Sequence, residues 1–193
     1  KKEQRVSINE IINCIQMKFL VSFVLCTIIF FSSCETLKDL TRFELDFKTS
    51  TTIPASTGIN LPFNVFTPDI ENNSESDFAA NKTSKDLVEQ VKLKTLKLTV
   101  QSPSNGDFGF LKSINVYLAA DDLPEIKIAW KENVPTTAGK ELELDVSDAD
   151  MQDYIKKDSF KLKLNTVTRQ MLGSDYKIDI NTVFFVDVKV LGL

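Results

Sequence analysis

The sequence predicts an all-β fold: an antiparallel β-sandwich of about seven or eight strands, immunoglobulin-like or jelly-roll-like, with one or two short helices. Three observations predict it. From Thr41 onward apolar residues recur at every second position, the period of strands with one buried and one wet face. Turn-forming clusters such as Ser102-Pro103-Ser104-Asn105-Gly106-Asp107 and Gly173-Ser174-Asp175 separate these runs at short intervals. Neither a strand–helix–strand rhythm nor a repeat of fixed period accompanies them, as a parallel sheet or a solenoid would require.

Taken in order, Phe43, Leu45 and Phe47 alternate with Arg42, Glu44, Asp46 and Lys48 as a first strand. Thr49 to Pro68 carries Pro54, Gly58, Pro62 and Pro68 among β-branched residues, which suits edge segments and bends. Asp69 to Lys82 is polar and acidic and reads as a surface loop, with only Ile70 and Phe78 able to dock. Thr83 with Asp86 three residues later marks a helix start, giving a turn or two over Lys85 to Gln90 before a strand from about Val91 to Gln101. The apolar phase slips between Leu93 and Leu96, which requires a bulge there if the stretch is extended.

Ile114, Val116 and Leu118 form the next strand. The turn Asp121-Asp122-Leu123-Pro124 then leads into Ile126, Ile128 and Trp130, the second arm of a hairpin. Leu142, Leu144 and Val146 predict a further strand. Ser147 and the acids Asp148, Asp150 and Asp153 would cap a short helix that turns Met151, Tyr154 and Ile155 inward. Phe160, Leu162 and Leu164 resume the alternation. The last strand is the clearest, with Tyr176, Ile178, Ile180, Thr182, Phe184, Val186, Val188 and Val190 at every second place. Val183 and Phe185 make its middle apolar on both faces, so the strand is expected to lie centrally and to meet a second layer.

Composition narrows the chemistry. The 193 residues contain no histidine, which removes the commonest general base and transition-metal ligand and excludes a Ser-His-Asp triad. The formal net charge is -4, with no block of Lys or Arg, which argues against nucleic acid as a partner. No nucleophile-elbow, zinc-protease, phosphate-loop or dinucleotide motif is present, and an enzyme is the least favoured class. No cofactor is expected. Asp145, Asp148 and Asp150 are the only candidates for calcium, but their loop lacks the glycine and distal glutamate of an EF-hand, and acids at a helix start are explained by the helix dipole. Trp130 shares the phase of Ile126 and Ile128, which predicts core packing. Tyr117 is out of phase with Ile114, Val116 and Leu118 and is the candidate for an exposed, ligand-binding aromatic. The ten phenylalanines after Cys34 are assigned to the core.

The N-terminal region has a different character. Residues 1–16 are read as lying upstream of the true start at Met17. Met17-Lys18 then forms a short positive segment, and Phe19 to Phe31 is an apolar run that as a helix reaches only about 20 Å. That is short of a bilayer core of roughly 30 Å, so the run is a signal-peptide core and not a span. Phe31-Ser32-Ser33-Cys34 closes it. This end resembles the lipobox of Gram-negative bacterial lipoproteins, the site read by the lipoprotein signal peptidase. Phe31 stands where that pattern prefers Leu, and Ser33 where it prefers Gly or Ala.

The resemblance implies that residues 17–33 are removed, that the Cys34 thiol carries a diacylglyceryl group, and that acyl chains on Cys34 hold the protein to a membrane. Glu35 is not the Asp that retains such proteins at the inner membrane. The expected location is therefore the cell envelope, with outer-membrane delivery open. All three cysteines (Cys14, Cys26 and Cys34) fall within the first 34 residues, so the mature chain would hold no disulfide. Residues 34–40 would be a tether and 41–193 a single domain. The leading expectation is a non-catalytic binding or scaffold module for an unknown envelope protein, lipid or glycan. The alternatives are a carrier of a lipid or other apolar ligand, and a carbohydrate-binding or adhesin-like surface module.

Overall fold

The computed structural model describes residues 41–55, 58–72, 74–81 and 83–189. The signal-like segment, Phe31, Ser32, Ser33, Cys34 and the tether lie outside the described residues. In chain order the strands are β1 (Arg42–Ile53), β2 (Pro62–Phe66), β3 (Ile70–Glu71), β4 (Val88–Ser102), β5 (Leu111–Ala119), β6 (Ile126–Lys131), β7 (Glu141–Glu143), β8 (Asp145–Val146), β9 (Ser159–Thr168) and β10 (Tyr176–Val188). The first sheet runs β1-β10-β4-β7 and the second β2-β9-β5-β6-β8, with β3 also on β9. Every strand pairing among the described residues is antiparallel. The predicted all-β sandwich is therefore the fold, its strand number raised to ten by the short β3, β7 and β8.

Alternation dictates the layers. Along β9, Phe160, Leu162, Leu164, Thr166 and Thr168 point inward, and along β10 the inward set is Ile178, Ile180, Thr182, Phe184, Val186 and Val188. The rings of Phe47 and Phe184 from the first sheet meet that of Phe160 from the second, with Phe47 edge-on at 5.1 Å to Phe160 and 5.8 Å to Phe184. Such edge-to-face packing ties one layer to the other beyond the area it buries. Several buried threonine hydroxyls bond across the fold, Thr51 donating to the Phe66 carbonyl at 2.9 Å and Thr168 to that of Gly58 at 2.8 Å, whereas the buried Thr83 hydroxyl has no partner among the described residues.

The slip between Leu93 and Leu96 is a bulge at Lys94, since Leu93 opposes Phe184 while Thr95 opposes the preceding Val183. β10 lies between β1 and β4, as its two-sided apolar middle requires. No second layer covers Val183 and Phe185 among the described residues. They are half-buried on the outer face, with the Arg42 guanidinium 5.6 Å from the Phe185 ring centre.

Four local expectations are corrected. Asp69 to Lys82 is not a plain loop: Ile70–Glu71 pairs with β9, and Ser74–Ala80 forms helix α1, which seats the buried Phe78 edge-on against Phe43 at 5.4 Å. The helix expected over Lys85 to Gln90 shrinks to a 3₁₀ turn at Lys85–Leu87, and β4 begins at Val88. The single strand expected through Leu142, Leu144 and Val146 divides at Leu144, giving β7 to the first sheet and β8 to the second. The N-cap of helix α2 (Gln152–Ile155) is Met151, with no side-chain capping bond; Ser147 accepts instead from the Ala149 amide at 3.1 Å, and Asp150, just before the cap, from the Gln152 amide at 3.1 Å.

Candidate functional site

The two sheets present different outer faces. That of the first carries surface ion pairs, Lys94 with Glu44 at 2.5 Å and Lys97 with Glu141 at 2.7 Å, each worth little in water. An open depression of about 590 Å³ lies there, lined by Lys48, Ser50, Lys97, Thr99, Asp179 and their neighbours. Inside the sandwich Phe108, Phe110, Phe160 and Phe184 are fully buried core side chains.

The outer face of the second sheet is built from the residues that alternate with the core set. Register places Phe66, Lys163, Tyr117 and Lys127 in one row across β2, β9, β5 and β6. The next row is Asn64, Asn165, Asn115, Trp130 and Asp145. Neighbouring members of a row are one strand spacing apart, about 4.8 Å. Phe66 is 51% exposed. The Lys163 ammonium lies 4.9 Å from the Tyr117 ring centre and that of Lys127 lies 5.0 Å from Trp130. Asn165 donates through its amide nitrogen to the Asn64 side-chain oxygen at 2.8 Å, and Lys163 also pairs with Glu125.

Tyr117 thus stands where its phase predicts, half-buried on the wet face. Trp130 does not. A bulge at Ile128, where Val116 opposes Ala129 and Tyr117 opposes Lys127, puts Ile128 and Ala129 both inward and turns Trp130 out beside Asn115. The core role predicted for Trp130 is overturned by that one extra residue. The core role predicted for Phe66 and Phe185 is overturned as well, since both stand on outer faces, and the three asparagines carry no reading because β2 lies in the proline-rich stretch. The signal was the alternation of Phe63 and Val65 with Asn64 and Phe66 between Pro62 and Pro68.

Of the calcium candidates, Asp145 lies 3.3 Å from the Lys131 ammonium and Asp148 is exposed. Asp150 accepts from the Val91 amide at 3.0 Å and the Gln152 amide at 3.1 Å. No group of three or more acidic or cysteine side chains gathers at metal-holding distance among the described residues. Asp150 instead joins α2 to the edge of β4. Asp150→Ala is expected to lower stability by about 1–2 kcal/mol, read from urea denaturation, because it removes the acceptor of two backbone amides, and Asp150→Asn by less, because its side-chain oxygen accepts from the same two. Two phenols are shifted: burial, then the nearby Asp153, raises the pKa of Tyr154, and burial, then Asp107, raises that of Tyr176. The Tyr154 hydroxyl donates to the Pro124 carbonyl, a structural tie between α2 and the β5–β6 turn.

No family model and no curated protein matches the chain. Solved structures that it resembles include a Desmodium yellow mottle tymovirus protein at 10% identity and a TM-score of 0.28, covering 79% of this chain and 91% of that one. The crystal structure of FlhE is matched at 8% identity and 0.29, over 76% and 98%. A cowpea mosaic virus empty virus-like particle protein is matched at 12% and 0.32, over 78% and 86%. At such scores neither a fold subtype nor a function passes from these proteins to this one.

Proposed function

We propose that the protein is a lipid-anchored module of the bacterial cell envelope that binds a partner, without catalysis, through the outer face of its second sheet. The observation that supports binding is the pair of rows on that face, where Phe66, Tyr117 and Trp130 stand among amides and ammonium groups. Phe66 is exposed, and the half-buried Tyr117 and Trp130 turn away from the sandwich interior, so core packing does not explain them. Anchoring rests on the sequence from Met17 to Cys34. Each acyl methylene buried in lipid contributes about 0.8 kcal/mol, and two or three chains hold stably where one does not. The mature domain would be delivered to the outer membrane on a short tether ending at β1. The carrier alternative has no comparable observation behind it, whereas the surface-module alternative draws on the same aromatic face.

The anchor is tested by expressing the chain and its Cys34→Ser variant in a Gram-negative host and partitioning both in a phase-separating detergent. The unaltered chain is expected in the detergent phase and Cys34→Ser in the aqueous phase. A variant that still partitions into detergent and matures normally would remove the anchor from this reading.

A further inference from the structure

Resting on the reading of the second sheet's outer face as the binding surface, we infer that its ligand is an acidic glycan, a polysaccharide bearing carboxylates. The row from Asn64 through Asn165 and Asn115 to Trp130 crosses four neighbouring strands, roughly 14 Å at the usual strand spacing. It offers a flat, extended track and not a pocket. Asparagine amides carry both donors and acceptors, the complement of sugar hydroxyls, which also do both. Trp130 ends that row and Tyr117 stands in the next, with the Lys127 and Lys163 ammonium groups 5.0 and 4.9 Å from their ring centres, so that aromatic rings and cations line the track together.

Charge decides the kind of glycan. The protein is acidic, with a net charge of -4, yet this face gathers Lys127, Lys161 and Lys163. Lys163 is paired with Glu125, while Lys127 and Lys161 have no ion-pair partner among the described residues. Those cations complement sugar carboxylates placed along the track. A protein partner would call for a contiguous apolar centre, and here the aromatics are separated by amides and ammonium groups. Two lysines without an ion-pair partner on an acidic chain are too few for strong counterion-driven binding of a nucleic acid.

Trp130 is the only tryptophan, so its emission reports on this face alone. Titrating the full chain carrying Cys34→Ser with oligogalacturonate is expected to give a saturable emission change that weakens as salt is added. Tyr117→Ala and Asn115→Ala, each with an unchanged urea midpoint, are expected to weaken binding at least about tenfold, the loss typical of a truncated anchor. Lys127→Gln is expected to weaken it and flatten its salt dependence. Emission that does not respond, an equal response to polyglutamate or oligothymidylate, or variants that bind like the parent would overturn the inference. Such a failure leaves detergent partitioning of the lipidated chain untouched, so ligand class and anchoring fail separately.

Discussion

Phe184→Ala is expected to lower the free energy of unfolding by about 4 kcal/mol, read as a fall in the urea midpoint at unchanged slope. The size follows from position. Phe184 is fully buried on the central strand of the first sheet and faces Phe47 at 5.8 Å and Phe160 at 6.2 Å. Removing the ring takes away its transfer free energy and leaves a void bounded by both sheets, which two hydrogen-bonded layers cannot close by collapsing. Against a total of about 5–15 kcal/mol for a domain, that is a large share. The neighbouring Phe185→Ala is the internal contrast. Its ring lies on the outer face near the Arg42 guanidinium, and the expected loss is about 1 kcal/mol or less. Equal losses at the two positions would contradict the assignment of inner and outer faces along β10.

That assignment was legible in the sequence because one apolar phase runs the whole length of β10, from Ile178 to Val188, while Val183 and Phe185 extend apolar character to the other face only at its middle. The bulge at Lys94 was legible for the same reason, as a slip between Leu93 and Leu96 in otherwise regular alternation. Helix α1 was not. Seven residues with one buried aromatic show no periodicity to read, and what holds the segment is the docking of Phe78 on Phe43, a contact across some thirty-five residues of chain. The division at Leu144 was hidden too, because a strand that passes from one sheet to the other keeps the same alternation throughout.

The aromatic face was half legible. Tyr117 stood out by phase, since its neighbours on β5 leave no doubt about the inward set. Trp130 was concealed by Ile128-Ala129, two adjacent apolar residues that fit an unbroken strand or a bulge equally well. Only the pairing of Tyr117 with Lys127 separates the two cases. The three asparagines carry no signal singly. They become a row because β2, β9 and β5 come together in the sheet from three distant parts of the chain, so the site is a product of register.

Gly109→Ala is expected to destabilise the fold by about 2–3 kcal/mol, while Gly139→Ala changes stability by less than about 0.5 kcal/mol. Gly109 is the middle of the 3₁₀ turn Phe108–Phe110, whose two phenylalanines are fully buried, and its amide donates to the Asp107 carboxylate at 2.9 Å. The loop after Pro135 lies directly over it. A methyl group at Gly109 would overlap the Thr136 carbonyl oxygen and sit 3.3 Å from the Thr136 carbonyl carbon. Backbone atoms on a loop tied down by the Phe108 amide to Gly139 carbonyl bond, at 2.9 Å, cannot swing away as a flexible side chain would. Either the loop lifts or the turn shifts and unseats Phe108 and Phe110 from the core. Gly139 lies on the same loop, but a methyl group there meets nothing within 4 Å. Thermal unfolding of the two variants side by side measures the difference, and a Gly109→Ala protein as stable as Gly139→Ala would show that the loop does not press on the turn.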